Sequence, residues 1–263
     1  MFVDTHCHLD FNSFDEDRDQ VIERARENEV VRILNPGTDM ASSQAGVNLS
    51  AQYAEVYAAI GIHPNEALTW DDRSISKIVD LASAPKVVAI GEIGLDYYRD
   101  KAPKQTQERV FREQLALAGE LGLPVIIHNR DASEDVFPIL EDWHRDLVNT
   151  SSPLADRPGV LHSFSANADH ARTAISLNFL IGITGPVTFK NASGLQILVR
   201  EVQLDFLLIE TDAPFLAPHP KRGLRNEPAY VRFVAEKIAE LQNRSCEDIA
   251  VGTASNAQRL FQW

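Results

Sequence analysis

The sequence predicts one (β/α)8 barrel, a TIM barrel, over residues 1–263, with additional helices at its C-terminal end. Three observations predict it. Eight short apolar runs recur along the chain, each separated by enough residues for a helix and two loops. The runs are apolar on both faces, as strands of a parallel sheet covered by helices are. Six of the eight end in a His, Glu or Asp, and the C-terminal ends of barrel strands are where such a fold gathers its chemistry. An open doubly wound sheet is the rival architecture and also places chemistry at strand ends.

The strand candidates begin near Phe2, Val30, Val56, Lys86, Pro124, Gly159, Asn178 and Phe206, with the core text FVDT, VVRILN, VYAAIG, KVVAIG, PVIIH, GVLH, NFLIGI and FLLIE. Between them lie amphipathic stretches. Asp15–Glu29 carries Val21, Ile22 and Ala25 on one face and opens on Asp15-Glu16-Asp17, which suits a helix N-terminus. Gln105–Leu121 sets Val110, Phe111, Gln114, Leu115 and Ala118 at helical spacing, and Gly122-Leu123-Pro124 stops it. Pro228 opens a helix with Val231, Val234, Ala235 and Ile238 as its buried stripe. Cys246–Phe261 reads as one or two short helices, and Asn149–Pro158 as a long loop.

Composition narrows the class. The chain carries 38 acidic and 25 basic residues, a net charge of −13, with 44% hydrophobic and 24% charged residues. This is globular composition. Grip on a long DNA duplex rests on Lys and Arg neutralising phosphates, so the charge argues against a stoichiometric duplex-binding protein. It does not exclude an enzyme that meets phosphate at one local site. No apolar run approaches the roughly 18 residues that a membrane span requires. Cys7 and Cys246, at opposite ends, make no disulfide framework. The N-terminus has neither a basic nor a long apolar leader segment, so a cytoplasmic location is expected.

The strand ends carry the chemistry. His6 and His8 alternate with Cys7, which puts both imidazoles on one face of the first strand, about 6.6 Å apart along it; that suits two ligands of one ion. Cys7 then faces the other way and packs. Glu92, between glycines in Gly91-Glu92-Ile93-Gly94, is costly to bury unpaired, and its two oxygens can bridge two cations; the alternative is an ion pair with an Arg or Lys. His128 and His162 end consecutive strands, as ligands of a second ion would. Asp212 ends the last strand and can both hold a metal and accept a proton, because a carboxylate has two oxygens. His63 can bind metal, donate to substrate or cap a loop; substrate contact is the preferred reading. A basic loop, His219-Pro220-Lys221-Arg222-Gly223-Leu224-Arg225, follows strand eight, where barrels often bind phosphate. Arg222 in that loop and Arg130, two residues past His128, are candidate substrate cations. His144 and His170, on predicted helices, are expected to face solvent.

Taken together, DTHCHLD (4–10), GIHP (61–64), GEIGLDYY (91–98), IHNRDA (127–132), LHSFS (161–165), ETDAPFLAP (210–218), RNEPAYV (225–231) and NAQRLF (256–261) resemble the TatD family of metal-dependent deoxyribonucleases, within the amidohydrolase superfamily. The blocks run in order over essentially the whole chain. The resemblance implies two divalent ions: His6, His8 and Asp212 on the first, His128 and His162 on the second, and Glu92 as the bridge. Imidazoles favour zinc-like ions, whereas carboxylates and phosphate also accept magnesium or manganese.

The expected activity is hydrolysis of phosphodiester bonds, with single-stranded or 3′-terminal DNA as the nucleic-acid substrate and neither a membrane nor a stable protein partner implied. Asp212, His63 and Glu92 are the expected catalytic residues, and His63, Arg130 and Arg222 the expected substrate contacts. Two other readings share this sequence. One is metal-dependent hydrolysis of a carboxylic ester or amide, for example a D-aminoacyl-tRNA; the other is metal-dependent binding without catalysis.

Overall fold

In the computed structural model, which describes residues 1–99 and 101–263, eight parallel strands follow one another in chain order around one sheet. They are β1 (Phe2–Asp4), β2 (Val30–Pro36), β3 (Val56–Ile60), β4 (Val87–Asp96), β5 (Val125–Arg130), β6 (Gly159–Leu161), β7 (Leu180–Ile183) and β8 (Leu207–Ile209). Helices α1 (Arg18–Glu27), α2 (Met40–Gln52), α3 (Asp72–Ala82), α4 (Lys104–Leu121), α5 (Ser133–Asn149), α6 (Ala168–Ser176), α7 (Ser193–Glu201) and α8 (Val231–Gln242) lie between or after them, and α9 (Cys246–Phe261) ends the chain. The fold is the expected TIM barrel with an extra C-terminal helix.

The seam between β8 and β1 closes the barrel. Thr5 N donates to Ile209 O at 3.2 Å, Asp212 N to His6 O at 2.8 Å and His8 N to Ala213 O at 2.8 Å. Asp4 lies buried under this seam and accepts from Thr211 N at 2.9 Å and Thr211 Oγ1 at 2.6 Å. The segments carrying His6, His8 and Asp212 are therefore tied to one another by the bonds that close the sheet.

The interior is filled by Val3, Leu34, Ala59, Ile126, Val160, Leu180 and Leu208, all buried. Leu260 and Phe261 of α9 join this cluster and cap the end where the strands begin. Trp263 packs against Tyr57 and Phe261 there in tilted contacts, each at 4.8 Å between ring centroids. A second cluster packs the outer strand faces against the helices and includes Cys7, Phe14, Phe111 and Phe179. One end is thus plugged with apolar side chains, and the polar strand ends gather at the other.

Three details differ from the sequence expectation. α1 starts at Arg18, because residues 12–14 form a 3-10 turn and Arg18 Nε donates to Leu9 O at 2.7 Å. Cys246–Phe261 is one helix, started by a Ser245–Asp248 capping box. β4 runs on to Asp96, so Glu92 sits within the strand and not at its end. The pairing with β5 slips register between Ile90 and Ile93, and Glu92 N turns to donate to Gly37 O at 2.8 Å. Gly94, at φ +140°, leaves no room for a side chain: a Cβ there would stand 2.0 Å from His128 O.

Candidate metal centre

Seven side chains, carried by six strands or by the turns that follow them, converge at the open mouth. β1 supplies His6 and His8, whose Nε2 atoms lie 3.2 Å apart. Glu92 Oε2 stands 3.4 Å from His6 Nε2 and 3.7 Å from His8 Nε2. Asp212 Oδ1 stands 3.8 Å and 3.6 Å from the same two nitrogens. The other oxygen of Glu92 faces a different set. Oε1 lies 2.6 Å from His128 Nδ1, 3.7 Å from His162 Nε2 and 3.8 Å from His63 Nε2. Glu92 therefore divides its two oxygens between two groups of imidazoles.

This donor set fits divalent cations. Ligand atoms at about 2.0–2.1 Å around one tetrahedral ion stand roughly 3.3 Å from one another, close to the spacings in the His6, His8, Glu92 and Asp212 group. His6 and His8 are buried, and their Nδ1 atoms have no hydrogen-bond partner. A neutral imidazole has only one N–H, so two buried rings meeting Nε2 to Nε2 next to two carboxylates lack the positive charge that the cluster requires. Three ligand groupings stand out among the described residues: His6, His8 and Asp212; His6, Glu92 and His162; and His63, Glu92 and His128.

The electrostatics express the same need. Burial pushes the Glu92 carboxyl up, but His162, His6 and His128 outweigh it and hold it well below the usual carboxylate range. Burial pulls His162 down, and Glu92, Glu210 and Asp212 reverse this, lifting it to about 9. Asp212 is pushed up to about 7 by burial, with His162 opposing. His8 falls to about 4 and His63 to about 3, in both through burial first.

A supporting layer orients the rings. His162 Nδ1 lies 3.1 Å from Glu210 Oε2, which also accepts from Ser163 N at 2.9 Å. With Nδ1 as the donor, Nε2 of His162 is free to face Glu92 and Asp212, the usual carboxylate–histidine arrangement behind a metal ligand. Gly182 makes room for Glu210; a Cβ there would stand 2.3 Å from Glu210 Oε1. Asp96 Oδ2 lies 3.4 Å from His128 Nε2 and accepts from Asn65 Nδ2 at 3.2 Å. Two glutamines of α4 peg the strand ends: Gln114 exchanges bonds of 2.8 and 2.9 Å with the backbone of Ile62, and Gln107 does the same with Asp96 at 2.9 and 3.0 Å.

The structure brings together His6, His8, His63, Glu92, His128, His162 and Asp212. It leaves Arg130 and Arg222 on the exposed rim, their guanidinium groups over Tyr98 at 4.0 Å and Phe189 at 4.4 Å. Cys7 is buried in the outer core. His144 and His170 are half-buried, not solvent-facing: His144 Nε2 meets Ala155 O at 3.1 Å, and His170 stacks on Phe137 at 4.5 Å. Glu210 and Asp96 lie within the sequence motifs and Asn65 directly follows one, but none of the three carries a signal of its own. Their acidic or amide character at strand ends was the available hint.

The family model for "TatD related DNase" matches residues 3–262. The chain is 47% identical, over all of its length and 99% of the relative's, to a metal-dependent hydrolase, YabD, of Bacillus subtilis. It is 36% identical to the 3′-5′ ssDNA/RNA exonuclease TatD of Cronobacter turicensis, over 98% of this chain and 97% of that one. The crystal structure of YJJV, a TatD homologue of Escherichia coli K12, superposes with a TM-score of 0.91 at 32% identity, covering 100% of this chain and 98% of the other.

Proposed function

The chain belongs to the TatD-related DNase family of metal-dependent hydrolases, and from that premise we propose that it is a two-metal phosphodiesterase that removes nucleotides from the 3′ end of single-stranded nucleic acid. The observation that carries the two-metal reading is the division of Glu92: Oε2 toward His6 and His8, Oε1 toward His128, His162 and His63. His6, His8 and Asp212 would hold one ion, His128 and His162 the other, with Glu92 between them. The polarity of the cleavage is taken from the TatD exonucleases it is similar to. In this reading residues 1–263 act as one catalytic domain.

Bound divalent ions in such a site supply acidified water and neutralise phosphoryl charge. The chain's own groups do the rest. Asp212 is the proton acceptor: its Oδ1 faces His6 and His8, and the second oxygen of the carboxylate remains to take a proton. It takes the proton of the attacking water and returns one to the leaving oxygen.

His63 is the substrate donor. Its Nδ1 accepts from Asn65 N at 3.1 Å, which leaves the ring proton on Nε2, the atom facing Glu92 and the mouth. Burial keeps the ring neutral, at about 3, so it acts as a fixed N–H donor to the charge growing on the phosphoryl group. Arg130 and Arg222, exposed on the rim, draw in the strand. The net charge of −13 limits the grip to these local cations, which suits a strand end over a long duplex.

The test is a substrate panel with metal-reloaded protein: single-stranded DNA and RNA, duplex DNA, aminoacyl-tRNA and small carboxylic esters. Multiple-turnover release of nucleotides from single strands is expected. Turnover of aminoacyl-tRNA or esters without strand cleavage would replace this reading.

A further inference from the structure

Phe11 and Phe215 are unusual among the aromatic side chains of the mouth. Phe11 stands in the β1–α1 connection and stacks on the ring of His8, with centroids 4.6 Å apart and planes 21° apart. Phe215 follows Asp212 by three residues and meets Phe11 edge-on, at 6.0 Å and 79°. The two rings stand nearly at a right angle, and His8 covers one face of Phe11.

Phe215 is 50% exposed and its neighbour Leu216 36%. Exposure of a large aromatic is ordinary where the backbone is loose. Here the backbone is fixed. Phe215 N donates to Asp212 O at 2.8 Å, and Phe215 O accepts from the buried Asn226 Nδ2 at 2.7 Å. Asn226 Nδ2 also bonds Thr211 O at 2.8 Å, and Asn226 N bonds Pro214 O at 3.1 Å. Phe11 is held in turn: its N donates to His8 O at 3.2 Å, and its carbonyl accepts from Phe14 N at 3.0 Å. A rigid loop thus displays apolar surface to water directly beside the candidate metal ligands. Leaving a ring of this size in water forgoes burial that folding alone would favour, and a planar apolar ligand would recover it.

We infer that Phe11 and Phe215 form a stacking corner that receives an unpaired nucleobase next to the scissile phosphate, and so make the site select base-bearing single strands. The inference rests on the phosphodiesterase reading above. Stacking is tolerant of base identity because every base has a π face, so the corner confers a requirement for an unpaired base without a preference for one sequence. A base held in a duplex is stacked on its neighbours and cannot enter until the end frays.

The experiment compares oligothymidylate with the same strand carrying abasic residues at its 3′ end. In the wild type kcat/KM favours the base-bearing strand. Phe215→Ala is expected to reduce that ratio about 5- to 150-fold, the range of one base–aromatic stack. Phe215→Trp should keep the preference, and Phe215→Leu, apolar but not aromatic, should lose it. A second readout needs no turnover: equilibrium binding of the two labelled strands to metal-loaded protein slowed by Asp212→Asn, with and without each Phe215 substitution, should show the same ordering of variants. A Phe215→Ala or Phe215→Leu protein with the wild-type ratio in both readouts overturns the corner and leaves the phosphodiesterase reading standing. Wild-type turnover of carboxylic esters with none of any nucleic-acid strand overturns that reading and the corner with it.

Discussion

The Nε2 atoms of His6 and His8 face each other at 3.2 Å inside the barrel mouth, and the nearest acidic oxygens, on Glu92 and Asp212, stand 3.4–3.8 Å from them. Such an arrangement is stable only when positive charge shares the space. Divalent cations should therefore stabilise the fold. Free metal at about 100 times its Kd adds roughly 2.7 kcal/mol per site, or about 5–10 °C in Tm for a chain of this size. Thermal unfolding in EDTA and after reloading with Zn, Mn or Mg checks this. His8→Ala should lose most of the shift. Equal Tm values with and without metal would count against the centre.

His63 separates substrate contact from metal binding. Its Nδ1 is engaged by Asn65 N at 3.1 Å, and its Nε2 is 3.8 Å from Glu92 Oε1. His63→Ala should leave the number of bound ions unchanged and lower kcat about 10²-fold, the loss expected for one donor to developing charge. Metal counting on the purified variant decides: loss of an ion would place His63 among the ligands.

Leu260 tests the independence of the two barrel ends. It is 1% exposed and belongs to the interior cluster with Val3, Leu34 and Leu208. Leu260→Ala should cost about 2–5 kcal/mol by transfer and cavity formation, measured by denaturant unfolding. The kcat of the folded fraction should stay near the wild-type value, since the candidate centre lies at the opposite end. A large fall in kcat would show that the plug also shapes the site.

Arg225 ties the loop after β8 to the segment before α1. Its guanidinium bonds Asp17 Oδ1 and Oδ2 at 2.7 Å each, and the Ser13 carbonyl. The Asp17 carboxyl is held below its ordinary value by Arg225 foremost, against burial and with help from Arg24. A depressed carboxylate contributes stability above its unfolded value of about 4 and loses it as pH falls through the lower folded value. Arg225→Ala should therefore destabilise the protein by about 1 kcal/mol at neutral pH. That difference from wild type should shrink below about pH 4 in urea titrations. A gap that is constant with pH would mean that packing, not the ion pair, is responsible.

Much of the site was legible because barrel strands are short and their ends conspicuous. VYAAIG ending before His63, PVIIH and GVLH each announce a polar group on an otherwise apolar run. Alternation alone separated His6 and His8 from Cys7. What the sequence could not supply was contact across the barrel. Glu210 lies two residues before Asp212 in sequence, yet it meets the Nδ1 side of His162 while Asp212 faces Nε2. Asp96 and Asn65 meet behind His128 from different strand ends. The continuation of β4 past Glu92 was hidden by Gly91 and Gly94, residues that usually interrupt a strand and here permit close approach to β5. α1 starts at Arg18 although Asp15-Glu16-Asp17 has helix-start composition, because the bond from Arg18 Nε to Leu9 O is a tertiary contact that local composition does not encode.

The most direct test of the account is nucleotide release from a 3′-labelled single-stranded DNA by metal-saturated wild type and Asp212→Asn. The substitution keeps the size of the side chain and one oxygen, and removes the proton acceptor. General base catalysis is worth about 10²–10⁴-fold. The account predicts multiple-turnover release of mononucleotides from the 3′ end by the wild type, and a kcat at least about 10²-fold lower in Asp212→Asn at saturating metal. Near-normal turnover by Asp212→Asn, or a wild type that leaves single strands intact, would contradict it.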